Sequence, residues 1–152
     1  MPVTLRTPRK NKKVFTPDGF FRSGDLARVN ESGYIKITGR IKDIIIRGGE
    51  NISPAQVEDL LHSHPNIANV AVIGMPDRDL GERVCAYIQP VAGTKPNPDE
   101  IVAFMQGKKA SKLIIPERFE FMDTLPITQA GKIDKKALRE DIKRRLGKPS
   151  GI

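Results

Sequence analysis

Tryptophan is absent from the 152 residues, and cysteine occurs once, so no internal disulfide can close. The lone Cys85 lies in the apolar run Val84-Cys85-Ala86-Tyr87-Ile88 and is expected to be a core thiol. Histidine occurs twice, as His62 and His64. Two residues apart, they cannot share a helical face as ligands, and no metal site is expected. Aromatics make up only 5% of the chain, so the core must be aliphatic. No apolar run is long enough to span a membrane and no signal-peptide pattern occurs, which makes a soluble cytoplasmic protein the default. Acids are also short: 18 Asp+Glu stand against 26 Lys+Arg, a net charge of +8. That excess suits an anionic ligand such as a nucleotide, a nucleic acid or an acidic surface; a solvated basic face fits it equally well.

What is present orders itself along the chain. Residues 1–14 are basic, contain proline and lack apolar periodicity, as in a leader or linker remnant. Thr16-Pro17-Asp18-Gly19 has the residue types of a turn. Leu26 to Val29 and Tyr34 to Thr38 read as strands joined by Asn30-Glu31-Ser32-Gly33, a hairpin with one apolar and one solvated face. Ile44-Ile45-Ile46 reads as a short buried strand, Gly48-Gly49 as a break, and Glu50 to Pro54 as the lead into a helix. Ser53, Pro54 and Gln56 occupy cap, first-turn and capping-box positions, with Val57, Leu60, Leu61 and His64 on one face. Val70 to Met75 and Val84 to Pro90 read as strands. Asn97-Pro98-Asp99-Glu100 opens a second helix, Arg118 to Phe121 is a further strand, and Asp134 caps a final helix with Leu138, Ile142 and Leu146 on its apolar stripe. The predicted class is α+β: a small mixed β-sheet flanked by helices, preceded by a two-stranded hairpin.

Three strings are more specific than these elements: Phe21-Arg22-Ser23-Gly24-Asp25-Leu26, then Gly39-Arg40-Ile41-Lys42-Asp43-Ile44-Ile45-Ile46-Arg47-Gly48-Gly49-Glu50-Asn51-Ile52, then Pro126-Ile127-Thr128-Gln129-Ala130-Gly131-Lys132. In order and spacing they resemble the C-terminal motifs of the adenylate-forming superfamily, which includes acyl-CoA synthetases and aryl-acid AMP ligases. The resemblance runs from about Phe15 to Leu146 and covers the small C-terminal domain alone. It divides the chain into the leader 1–14, the end of a linker with the hairpin at 15–41, a lid domain at 42–148 and a tail at 149–152.

The resemblance implies roles residue by residue. Asp25, otherwise a turn or cap residue, would accept hydrogen bonds from two ribose hydroxyls, for which two carboxylate oxygens are suited. Arg40, otherwise a surface ion-pair partner, would contact the ribose and phosphate region. Lys42 stands at the inter-domain hinge. Gly48 and Gly49, otherwise a plain turn, would line the coenzyme A tunnel, with Glu50 either structural or ordering that loop. Lys132, otherwise a solvated turn residue, would reach the acid's carboxylate and the α-phosphate during adenylation, where a compact ammonium meets crowded negative charge. One departure stands out: related enzymes often carry Tyr-Lys where this chain has Leu113-Ile114, and the positive charge lies instead at Lys108, Lys109 and Lys112.

The implied function is that of the C-terminal domain of an ATP-dependent carboxylic acid–CoA ligase acting on a fatty or aryl acid. ATP and coenzyme A are the implied cosubstrates, with magnesium held in a large N-terminal adenylation domain that is the implied partner. Two alternatives stay open. The acceptor could be a carrier protein, as in aryl-acid adenylating enzymes. Or the chain could be a non-catalytic basic module, against which stand the few aromatics and the lack of a glycine-aromatic RNA-binding motif. Neither nucleic acid nor a membrane span is expected.

Overall fold

The computed structural model describes residues 13–147. Residues 1–12 of the expected leader and the whole expected tail lie outside the described residues. The chain divides into two compact units, Met1–Lys42 and Asp43–Ile152.

In the first unit, the expected turn closes when Phe20 N–H donates to Thr16 Oγ1 at 2.9 Å and Gly19 N–H to the Thr16 carbonyl at 3.0 Å. Strands β1 (Asp25–Val29) and β2 (Ile35–Arg40) then pair antiparallel, with a register shift between Leu26 and Ala27. Asn30 sets their connection: its Oδ1 accepts from Tyr34 N–H at 2.8 Å. The alternation predicts one covered face. Instead Val29, Ile35 and Ile37 are each at least 60% exposed, because nothing within the unit packs on them.

In the second unit, a five-stranded sheet runs β4-β3-β6-β5, with β7 alongside β6. The strands are β3 (Ile45–Arg47), β4 (Glu50–Ile52), β5 (Ile67–Asp77), β6 (Gly81–Pro90) and β7 (Arg118–Phe121). The sheet is mixed, because β7 runs parallel to β6 while the other pairs are antiparallel. Helices are α1 (Pro54–His62), α2 (Pro98–Gly107) and α3 (Lys135–Gly147).

Side chains alternate across the central β5–β6 hairpin, and each side is buried. Val70, Val72, Val84, Ala86 and Ile88 pack with Val57 and Leu61 of α1 and with Ile101 and Met105 of α2. Ala71, Ile73, Cys85 and Tyr87 pack with Leu138 and Ile142 of α3. The sheet therefore lies between two helices on one face and one on the other. Double burial explains why these strands read as continuous apolar runs. It also pushes the Cys85 thiol up to about 12.

Local corrections have physical causes. Glu50 to Ile52, expected as the lead into a helix, form strand β4, and the break at Gly48-Gly49 is the turn of the β3–β4 hairpin. Its residues have φ of 57° and 88°, and two positive φ values in succession are what a two-residue hairpin turn of this hand requires. Ser53 stands at the N-cap of α1, but its side chain makes no capping bond there. The other two caps form as expected: Asn97 Oδ1 accepts from Glu100 N–H at 2.8 Å, and Asp134 Oδ1 from Ala137 N–H at 3.1 Å. Strand β5 continues through Pro76, past its expected end at Met75; Val72, four residues earlier in the same register, turns its N–H to the free edge, so the missing N–H of Pro76 costs no ladder bond. Leu146, expected on the buried stripe of α3, is 42% exposed.

Candidate functional site

The first unit brings Asp25 and Arg40 together. They are direct partners in the β1–β2 ladder, so both side chains leave the same face. Arg40 Nε lies 3.3 Å from Asp25 Oδ1, with both side chains partly open to solvent. Such an exposed pair contributes little stability, roughly 0–1 kcal/mol. It does set a carboxylate beside a guanidinium. The carboxylate can accept from neighbouring hydroxyls and the guanidinium can donate to phosphate oxygens, which is a donor set that fits a nucleotide.

Lys42 lies in a short 3₁₀ turn, Ile41–Asp43. The residue before it is tied into the first unit, where Ile41 N–H donates to the Gly24 carbonyl at 2.9 Å. The residue after it is tied into the second, where Asp43 accepts from Arg139 of α3 at 2.8 Å. The boundary between the units falls directly after Lys42.

Gly48 is held through its backbone. Its N–H donates to the Leu80 carbonyl at 2.8 Å, and a Cβ added to it would lie 3.3 Å from the Leu80 side chain. A Cβ on Gly49 would meet nothing within 4 Å, so the outer side of this turn is open. Glu50 is exposed and makes no ion pair among the described residues. Glu82, which no motif singled out, fastens this hairpin: its Oε2 accepts from Ile46 N–H at 2.8 Å. Gly74 makes room for that carboxylate, since a Cβ there would lie 2.5 Å from Glu82 Oε1. The apposition of Gly-Glu on β6 to the isoleucine strand is tertiary and has no local signal.

Lys132 sits on an exposed, tightly closed loop. Gly131 N–H donates to the Thr128 carbonyl at 2.9 Å, Thr128 N–H to the Lys132 carbonyl at 2.7 Å, and Lys132 N–H to Thr128 Oγ1 at 3.3 Å. Gly131 has φ of 77°, the left-handed geometry this turn needs. At its base Ile127 bridges Ile133, and Asp134 N–H donates to the Pro126 carbonyl at 2.8 Å. The backbone is thus fixed while the Lys132 ammonium makes no ion pair or hydrogen bond among the described residues. The loop leads into α3, whose Lys135 pairs with Glu58 at 2.7 Å; Glu58 also accepts from Val72 N–H on the free edge of β5. Lys132 and Gly48-Gly49 are accordingly carried by different elements, the first beside β5 and the second at the other end of the strand order.

Part of the remaining positive charge is engaged. Along α3, Arg139 pairs with Asp43, Arg144 with Asp141, and Arg145 with both Asp141 and Glu120. Lys108 lies 5.5 Å above the Phe104 ring. The apolar replacements Leu113 and Ile114 are partly exposed and partly buried, respectively. His64 is buried against Phe104, its Nδ1 accepting from Asn66 N–H at 3.2 Å. Among the described residues no three His, Cys, Asp or Glu side chains converge as a metal site would require, and no helix is long and apolar enough to cross a membrane.

Residues 56–132 match the sequence model of the AMP-binding enzyme C-terminal domain. The chain is 48% identical over 140 residues to a medium-chain fatty-acid–CoA ligase of Escherichia coli, covering 91% of this chain and 25% of that protein. It is 42% identical over 149 residues to a 2,3-dihydroxybenzoate-AMP ligase of Bacillus subtilis, covering 95% of this chain and 28% of that protein. Among solved structures, ATP-bound MatB from Rhodopseudomonas palustris superposes with a TM-score of 0.84 at 37% identity, over 91% of this chain and 27% of that one. The chain thus spans about a quarter of the length of the curated relatives it matches.

Proposed function

The chain belongs to the AMP-binding enzyme C-terminal domain family, and from that premise we propose that it serves as the mobile C-terminal lid of an ATP-dependent carboxylic acid–CoA ligase. The lid acts with a large domain that binds ATP, its magnesium and the acid. The observation that carries this reading is Lys132: an ammonium without a partner among the described residues, on a loop whose backbone is held by three cross-loop hydrogen bonds.

The reaction has two halves. In the first, the acid's carboxylate oxygen attacks the α-phosphorus of ATP, the bond to pyrophosphate breaks, and an acyl-adenylate forms. Two anions must approach each other, and the Lys132 ammonium offsets their repulsion and holds the carboxylate in line. Asp25 accepts from the ribose hydroxyls and Arg40 donates to the phosphate side. In the second half, the thiol of coenzyme A attacks the acyl carbon and AMP leaves. Gly48 and Gly49 let the narrow thiol arm pass close to the backbone, which agrees with the open space beside Gly49.

One lid supplies both groups by turning about Lys42. A hinge needs a short span of free dihedrals between rigid anchors. The bonds made by Ile41 and Asp43 on either side of Lys42 support that place for it. Similarity to the 2,3-dihydroxybenzoate-AMP ligase supports a second reading of the acceptor, the pantetheine of a carrier protein, with the same lid chemistry.

The test is Lys132→Ala in the complete enzyme. ATP–pyrophosphate exchange should fall by about 10²–10³, the usual effect of removing one transition-state charge stabiliser. Thioester formation from supplied acyl-adenylate should be largely retained. Equal loss in both halves, or intact exchange, would overturn the assignment.

A further inference from the structure

The β3–β4 hairpin is only three residues long on each strand, and β3 joins the rest of the sheet through one ladder pair, Arg47 opposite Gly81. A hairpin of this size is marginal in water, and glycines give its turn no side chain by which to be held. The Glu82 bond to Ile46 N–H and the burial of Ile45 and Ile52 hold its base, and something else must fix the turn itself.

Two arginines and two acids meet at this end of the sheet. Arg47 grips Glu117 with two bonds, Nη2 to Oε1 at 2.6 Å and Nε to Oε2 at 3.2 Å. Arg83 donates to the same Glu117 Oε1 at 3.0 Å and to Asp77 Oδ2 at 2.5 Å. The other oxygen of Asp77 accepts from Leu80 N–H at 2.9 Å. The Leu80 carbonyl accepts from Gly48 N–H, and Gly48 is bonded covalently to Arg47. Following these links returns to the starting residue. The four side chains balance in charge and are between 20% and 33% exposed, so solvent screens them only in part.

We propose that this closed ring is a positioning device: Arg47, Glu117, Arg83 and Asp77 hold the Gly48-Gly49 turn at the height and angle the incoming thiol requires. The proposal rests on the reading of that turn as the thiol face. None of the four need touch substrate. Arg47 lies on β3, Asp77 on β5 and Arg83 on β6, and Glu117 directly precedes β7, so the turn is registered against these strands rather than against β4 alone. Charge-assisted, bidentate bonds are suited to the task because they fix direction as well as distance. Glu117 is the keystone, since it alone is shared by both arginines.

Two variants test it. Glu117→Gln keeps the size and removes the charge; Asp77→Asn opens the ring on the far side, away from Arg47. In the chain itself, amide hydrogen exchange followed by NMR should speed up at Gly48 by about tenfold or more in each variant, while the core amide of Ala86 holds its protection. In the complete enzyme, the rate of thioester formation from supplied acyl-adenylate should fall by about tenfold or more, as displacement of a reacting group does. ATP–pyrophosphate exchange should stay within about twofold of the parent. Exchange at Gly48 unchanged in either variant overturns the ring. Faster exchange with an unaltered thioester step overturns its role in catalysis and leaves the Lys132 assignment standing. Equal loss of both half-reactions, or loss of protection at Ala86 as well, shows general destabilisation and overturns it too.

Discussion

Replacing Gly74 with alanine should destabilise this chain as it stands and stabilise it once Glu82 has been cut back to alanine. The reason lies in where the new methyl goes. It would sit 2.5 Å from Glu82 Oε1, 2.6 Å from Cδ and 2.9 Å from Oε2, so the carboxylate must leave. With it goes the 2.8 Å bond to Ile46 N–H. A bond to a charged acceptor contributes about 1.5–3 kcal/mol, but Ile46 is 54% exposed and water can replace the carboxylate, which brings the loss to about 1 kcal/mol. Against this, alanine in a strand gains about 0.5 kcal/mol over glycine by restricting the unfolded chain. The net is a loss of about 0.5 kcal/mol in the parent and a gain of about 0.5 kcal/mol in the Glu82→Ala background, a coupling of about 1 kcal/mol. Urea unfolding followed by circular dichroism reads this as midpoint shifts of opposite sign, each about 0.3 M. Shifts of the same sign and size in both backgrounds would refute the account of how β3 is fastened.

Acid should weaken the second unit through the ring of ion pairs. The bond from Arg83 holds Asp77 down at about 2, and the bond from Arg47 holds Glu117 below the usual carboxylate range. Folded values below unfolded ones mean that the stabilisation is complete above the unfolded values near ~4 and is lost as pH falls through the folded values. The thermal midpoint should therefore drop between about pH 4 and 2, and more gently in Glu117→Gln; an unchanged slope in the variant would contradict this. A separate gain is expected at the end of α2, where Lys109 has φ of 59°. Lys109→Gly relieves a left-handed side-chain residue and should stabilise by about 1 kcal/mol, read as a higher urea midpoint.

Elements were legible where burial left a periodic trace. The β5–β6 hairpin faces a helix layer on each side, and its unbroken apolar runs announced it. The caps at Asn97 and Asp134 were legible because each is satisfied within three residues. Strand β4 was not, because three residues with only Ile52 buried hold no alternation to count. The turn before it was read as a break, since two glycines permit a hairpin and a loop alike. The open apolar side of β1–β2 shows the opposite case: Val29, Ile35 and Ile37 have the right pattern, and no element of their own unit covers them.

The candidate site divides along the same line. Residues proposed to meet substrate lie in short strings, because a loop that must present a lysine or a bare backbone is built from neighbours: Thr128, Gly131 and Lys132 close their own turn. The residues that hold those strings in place come from far along the chain. Glu82 is 36 positions from Ile46, Glu117 is 70 from Arg47, and Arg139 is 96 from Asp43. No local pattern can announce such pairs, since any exposed acid or arginine would look the same. What singles them out is the end of the sheet where β3, β5, β6 and β7 converge, and the anchors that flank Lys42. A lid that has to offer two faces in turn needs stiffness around each face and freedom at one point between its anchors. In this chain the stiffness is tertiary, and the hinge proposed at Lys42 lies between two such anchors, the bonds of Ile41 and Asp43.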